Sequence, residues 1–194
     1  MGDMQFITKV LASPQNVDWM GYKPKQMNES MYFKLSKDKR KKPLEEIESG
    51  VTLYSLPDKY AVLDENRQRI LYLVQFKVAR VFGKKGITQV QVWRDKTASS
   101  TEGLAKKIFF NFLFPTADCI VTDRLQTSYG RAFWELRIYE AFGKGLPVYL
   151  LDQNQITKKL LSSVEEFDDI ADSWWGDHPK FQGRKIAICH DTFW

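Results

Sequence analysis

Cysteine and histidine are nearly missing from this chain, with two of each in 194 residues. Cys119 and Cys189 stand seventy residues apart. That gives neither a paired zinc spacing nor the cysteine density of a disulfide-stapled secreted fold, and a reducing compartment is the expectation. His178 and His190 have no ligand spacing with a cysteine or with each other, so no metal is expected. No apolar run approaches the roughly 18 residues that a membrane helix needs, so no spanning segment and no membrane partner are expected. The first residues carry no basic segment leading into a long apolar run. Phe6 also stands where a myristoylation signal needs Ser or Thr. No serine sits in a nucleophile elbow, and neither a repeat nor a low-complexity segment occurs. These absences set aside secreted, membrane, metal-dependent and serine-hydrolase classes, and leave a cytoplasmic protein as the expectation.

What is present is apolar and aromatic. Hydrophobic residues make up 43% and aromatic ones 14% of the chain, enough for a folded globule and too much for a disordered tail. The length suits one complete domain. The net charge of +5 and a pI of about 9.1 favour anionic partners: nucleic acid, a phosphorylated cofactor or an acidic protein. Solubility alone also accounts for that excess.

Along the chain, residues 1–50 form an N-terminal extension or cover, with a short helix or strand near "MQFITKVLA", a loop, "MYFKL" and the basic run "KDKRKK" (37–42). "PLEEIESG" reads as a helix, with Pro43 in its first turn and Gly50 as its stop. The period then becomes two. "VTLYSL" (51–56), "YAVLD" (60–64), "RILYLVQFKVARVF" (69–82) and "ITQVQVWRD" (87–95) read as strands, the later ones as an antiparallel meander. "SSTEGLAKKIFFNFLF" reads as a helix opened by a Ser99–Glu102 capping box and closed by Pro115. Strand "DCIVTD" (118–123), helix 127–145 and strand "LPVYLLD" (146–152) follow. In that helix Phe133, Leu136, Tyr139 and Phe142 form one stripe, Thr127 or Ser128 caps the start and Gly143 or Gly145 the end. "QITKKLLSSVEEFDDIADSWW" reads as a helix and "RKIAICH" (184–190) as the last strand. The order predicts a single α/β or α+β domain with a mixed, mostly antiparallel sheet flanked by helices. Residues 51–152 form its core and 153–194 a C-terminal helix and strand.

One junction carries chemistry. In "RDKTASSTEGLAKK" a strand empties into a helix whose first turn holds Gly103, with hydroxyls at Ser99, Ser100 and Thr101 and cations at Lys106 and Lys107. Free N–H groups at a helix start, with the positive end of its dipole, bind phosphate, and a glycine admits close approach. Plain helix capping is the alternative. The order of elements and "STEGLA" resemble the GNAT superfamily of acyl-CoA-dependent N-acyltransferases over roughly residues 50–152. Gly103 and Ala105 fit the family's Arg/Gln-x-x-Gly-x-Gly/Ala loop, and Ser100 departs from it. "IYEAFG" (138–143) resembles the end of the family's second helix.

The resemblance implies an acyl-CoA, acetyl-CoA first, held by Val92, Trp93, Ser99, Ser100, Thr101, Gly103, Leu104 and Ala105. It implies Tyr139 as the acid that protonates the departing thiolate. The strand before the loop offers Gln89 and Gln91 where the family often has Glu, so the base falls to Asp123 or to a water held by those glutamines. Asp95, at that strand's far end, could also serve as base, and its plainer reading is a turn aspartate, as a strand-end cap is for Asp123. The acceptor pocket falls to Gln89, Gln91, Arg124, Arg131 and Trp134. The family acylates small amines, proteins and, in some phage-borne relatives, nucleobases. A GNAT-like fold without chemistry, binding a protein or nucleic acid through its basic surface, is the other reading. "KDKRKK" and the pair Trp174–Trp175 would serve nucleic acid; a solvated loop and a docked helix end are their plainer readings.

Overall fold

The structure is a computed structural model that describes residues 24–95, 103–122, 128–152, 156–174 and 183–192. Helix α1 (Pro24–Ser36) leads into five strands: β1 (Lys42–Glu48), β2 (Val51–Leu56), β3 (Lys59–Asp64), β4 (Arg69–Val81) and β5 (Lys84–Arg94). After α2 (Leu104–Lys107), which continues as π-type turns to Leu113 and a 3-10 turn to Thr116, come β6 (Cys119–Val121), α3 (Ser128–Gly143) and β7 (Val148–Asp152). Strand β8 (Thr157–Leu161), α4 (Val164–Trp174) and β9 (Arg184–Cys189) complete the described chain. The strands are hydrogen-bonded in the order β1-β2-β3-β4-β5-β6-β9-β7-β8. The fold is mixed α+β on a large, mostly antiparallel open sheet, as the sequence predicts at that level.

Two compact units divide it. The first holds the described residues up to Lys77 together with Val90–Phe109. Here β1 to β4 form a meander closed by two-residue turns at Ser49-Gly50 and Pro57-Asp58. Gly50 has φ 77°, a left-handed conformation that favours glycine, and a Cβ there would also displace the Asn66 amide 2.2 Å away. The core packs Tyr32 and Leu35 of α1 on Leu56, Ala61, Leu63, Ile70 and Leu73, with Trp93 at its margin. Helix α1 is also tied to backbone. The β3–β4 register shifts at Leu63, and there the Asn28 amide donates to Ile70 O (3.0 Å) and accepts from Ile70 N–H (2.6 Å). A helix side chain thus stands in for a strand partner at a bulge.

The second unit holds Val78–Gln89 and the described residues from Phe110 on. Three residues of β5, Gly86–Thr88, run parallel to Cys119–Val121, and β9 pairs antiparallel with both β6 and β7. Helix α3 ends in a Schellman motif: Gly145 at φ 67° donates to Phe142 O, and Leu146 N–H donates to Ala141 O. Gly145 rather than Gly143 is therefore the stop.

Two segments expected as helices are strands. "KPLEEIE" is β1, hydrogen-bonded to β2, with Gly50 turning a hairpin rather than ending a helix. "TKKLL" is β8, paired to β7, so the helix after it starts only at Val164. There Ser163 Oγ accepts from Glu166 N–H, and Glu166 accepts from the Ser162 amide and hydroxyl. This is a capping box one residue out of register, legible in "SSVEE". The buried face of α3 also differs. Trp134, Arg137, Ile138 and Ala141 face inward, whereas Leu136 is 51% and Tyr139 39% exposed.

Asn28→Ala strips both partners from the Ile70 backbone at the bulge. Urea unfolding of the variant is expected to show a loss of about 1–3 kcal/mol; an unchanged midpoint would mean that the clamp contributes nothing.

Candidate functional site

The junction expected to hold phosphate starts at the end of β5. Val92 and Trp93 are half-buried there, Trp93 against the α1 core. The backbones of Gln89 and Gln91 run in β5, and their side chains lie outside the described residues. Asp95 receives the Arg69 guanidinium at 3.1 Å, while Arg69 also meets buried Asp64 at 3.2 Å. That makes Asp95 a strand-end anchor, in agreement with its plainer reading. Ser99, Ser100, Thr101 and Glu102 lie outside the described residues.

Gly103 occupies the position before the helix with φ 72° and ψ −15°, and no side chain caps it. A Cβ built there meets nothing within 4 Å. The glycine is thus required by backbone conformation, and among the described residues nothing packs against that position. It takes the cap position expected of Ser99. Behind it Leu104 is buried and Ala105 half-buried. Lys107 is ion-paired to Glu45 of β1. The inward residues Leu104, Ile108, Phe109 and Leu113 follow the wider spacing of π-type turns, which a 3.6-residue period does not anticipate.

The residues expected on the other helix belong to the second unit. The Tyr139 hydroxyl donates to Asp168 Oδ1 at 2.8 Å, and its ring meets Phe167 edge-on. The carboxylate acceptor, with lesser burial, pushes the Tyr139 pKa up to about 12. Tyr139 is neither a core aromatic nor a free hydroxyl. Arg131 donates to Glu135 (2.7 Å) and Asp172 (2.5 Å), and these carboxylates raise its pKa further. Trp134 is buried in the core. Asp123 and Arg124 lie outside the described residues.

Sequence reading missed an ion pair on the same helix, buried Arg137 with half-buried Glu140 at 2.8 Å, the guanidinium 5.1 Å from the Phe133 ring centre. The i,i+3 spacing was its visible signal. Elsewhere, Lys41 of the basic run stacks 4.1 Å above Tyr54 and meets Glu65 at 3.6 Å, and Arg40 forks onto Asp38. Trp174 donates to Lys185 O at 3.1 Å and carries Arg184 over its ring. It is a docked helix end; Trp175 and His178 lie outside the described residues. No helix among the described residues is long and apolar enough to cross a membrane.

Comparison with family models, curated proteins and solved structures returned no match.

Because the phenol of Tyr139 is neutral beside an anion, its hydrogen bond stabilises the fold fully below an ordinary tyrosine pKa, and that contribution fades as pH rises through about 12. A phenolate absorbance titration, with Tyr139→Phe subtracted, is expected to place Tyr139 near 12. Asp168→Asn should bring it back toward 10; an unmoved titration would mean that the two side chains do not pair in solution.

Proposed function

We propose that the chain is a GNAT-like acyltransferase of the cytoplasm that moves an acyl group, most simply acetyl, from acyl-CoA to an amine. The observation that carries this reading is the junction itself. Strand β5 pairs parallel with β6, the connection between them carries a helix, and that helix opens on a left-handed glycine that no other described residue approaches. Carboxyl ends of parallel strands and starts of the helices that follow them are where α/β sheets hold phosphorylated ligands. Within that unit Gly103, Leu104 and Ala105 would present backbone N–H groups to the pyrophosphate, Ser99, Ser100 and Thr101 would add hydroxyls, and Val92 and Trp93 would flank the pantetheine arm.

In the transfer step the amine nitrogen attacks the thioester carbonyl, a C–N bond forms and the C–S bond breaks. Asp123, or a water held by Gln89 and Gln91, takes the amine proton, and the acid returns a proton to the thiolate. Of the residues expected at the acceptor, Trp134 is buried in the core of the second unit, and Arg131 is held by Glu135 and Asp172.

One observation favours a second reading, a GNAT-like binder without chemistry, whose partner is a protein or nucleic acid. Tyr139 near 12 is a weak acid toward a thiolate whose thiol titrates at ~8.5. Its proton is moreover held by Asp168. Protonation by Tyr139 needs that bond to open when substrate arrives.

Titration calorimetry with acetyl-CoA separates these. Micromolar binding is expected for the wild-type chain. It should be lost in Gly103→Glu and weakened at least tenfold in Gly103→Asn, a residue that tolerates the left-handed conformation. Absence of binding to the wild-type chain overturns the reading. Given binding and transfer to an amine, Tyr139→Phe should lower kcat about 10²-fold if it is the acid. An unchanged kcat removes it from that role.

A further inference from the structure

Cys119 and Cys189 are register partners across β6 and β9, both free and both buried. The ladder around them fixes the kind of pair they form. His190 N–H donates to Asp118 O at 3.1 Å, and Thr122 N–H donates to Ile186 O at 2.9 Å. Hydrogen-bonded positions thus fall at 118/190 and 122/186, and by alternation at 120/188. Cys119 and Cys189 lie between them as a non-hydrogen-bonded pair, where Cα atoms approach to about 4.5 Å and side chains are closest. That lies at the short end of the span a disulfide bridges, about 4.4–6.8 Å. The thiols already interact: the Cys189 thiol donates to the Cys119 sulfur, holding Cys119 below an ordinary thiol and raising Cys189.

We propose that Cys119 and Cys189 are a reversible redox pair that closes as an intramolecular cross-strand disulfide. The surroundings choose this product over a thiolate–metal site. Val81, Val121, Tyr149, Leu151 and Ala187 enclose the pair, with Phe82 against them. A bis-thiolate complex of a soft monovalent cation would place net charge in that apolar setting, whereas a disulfide is neutral. Among the described residues no three His, Cys, Asp or Glu side chains gather to complete a metal site.

The oxidant is a low-molecular-weight disulfide such as glutathione disulfide. Cys119, the readier thiolate, attacks one of its sulfurs, forming a mixed disulfide and releasing one glutathione thiol. The Cys189 thiolate then attacks the Cys119 sulfur and expels the second. One protein S–S bond forms, and two electrons and two protons end on the two released thiols. Because both sulfurs are buried, the rate is set by local opening of β6 from β9. The bond ties together the ends of a seventy-residue stretch carrying α3, β7, β8 and α4.

The test equilibrates the full chain in glutathione buffers from fully reduced to fully oxidising, with urea kept below the unfolding transition so that opening is sampled. Reduced and pre-oxidised starting material are followed until they converge, then alkylated and weighed. The expected result is joint loss of both thiols, a mass lower by two hydrogens, a linked peptide joining Cys119 to Cys189 and full reversal by dithiothreitol. Cys189→Ser should give only a glutathione adduct. Two alkylatable thiols at the most oxidising ratio, a lasting adduct on the wild-type chain, a disulfide between two chains, or a soft metal ion retained at native mass would each overturn the proposal.

Discussion

Parallel pairing of Gly86–Thr88 with Cys119–Val121 is the constraint from which the other features follow. Antiparallel neighbours can share a two-residue turn, as β1 to β3 do, but parallel neighbours cannot. The chain must leave the sheet after Arg94 and return at Cys119, and the helical segment begun at Leu104 makes that return. Its start therefore falls beyond the carboxyl end of β5, with Gly103 as the backbone's point of entry. β6 is left as a three-residue strand paired on both edges, parallel to β5 and antiparallel to β9. The second pairing brings Cys119 opposite Cys189. The phosphate-binding candidate and the thiol pair are thus two consequences of one connection.

The sequence was most legible where strands are buried. In β4, Ile70 to Val74 are all enclosed, and a long apolar run of β-branched and aromatic residues suits a strand covered on both faces better than any helix. It was least legible at the two ends of the sheet. β1 and β8 are its edge strands, and both read as helix because edge strands carry charge to prevent further pairing. Glu45, Glu46 and Glu48 in one, and Lys158 and Lys159 in the other, look like solvent faces of helices. Pro43 fits an edge strand as well as a first helical turn. In α3 the difficulty was degeneracy: Phe133, Leu136 and Tyr139 make as good a stripe as Trp134, Ile138 and Ala141. Only packing against the rest of the unit decides which turns inward. The π-type turns at Ile108–Leu113 had no signal in a 3.6-residue period.

Part of the positive charge serves the fold. An excess of five cations suggested an open basic surface. Some of the cations connect parts of the fold: Lys41 lies on Tyr54, Arg69 bridges Asp64 and Asp95, and Arg131 bridges Glu135 and Asp172. Buried Arg137 pairs with half-buried Glu140, and Arg184 lies on Trp174 near Asp152. A guanidinium stacks, forks and stays charged when half-buried, so it serves as a structural connector more readily than as a free contact for phosphate. Net charge counts such a side chain and its carboxylate partner alike, so this pairing leaves the excess of five unchanged.

The same logic bears on Tyr139. A tyrosine at the end of the second helix matched the resemblance by position, yet position alone does not set acidity. Asp168, one turn into α4, accepts its proton and lifts its pKa, and Asp168 stands there because the capping box at Ser163 and Glu166 fixes where that helix begins. Starting α4 at Val164, after β8 rather than before it, therefore decides whether this hydroxyl faces a carboxylate or solvent. A helix boundary misplaced by the length of one edge strand becomes, in the fold, the difference between a solvent-facing hydroxyl and one bonded to a carboxylate.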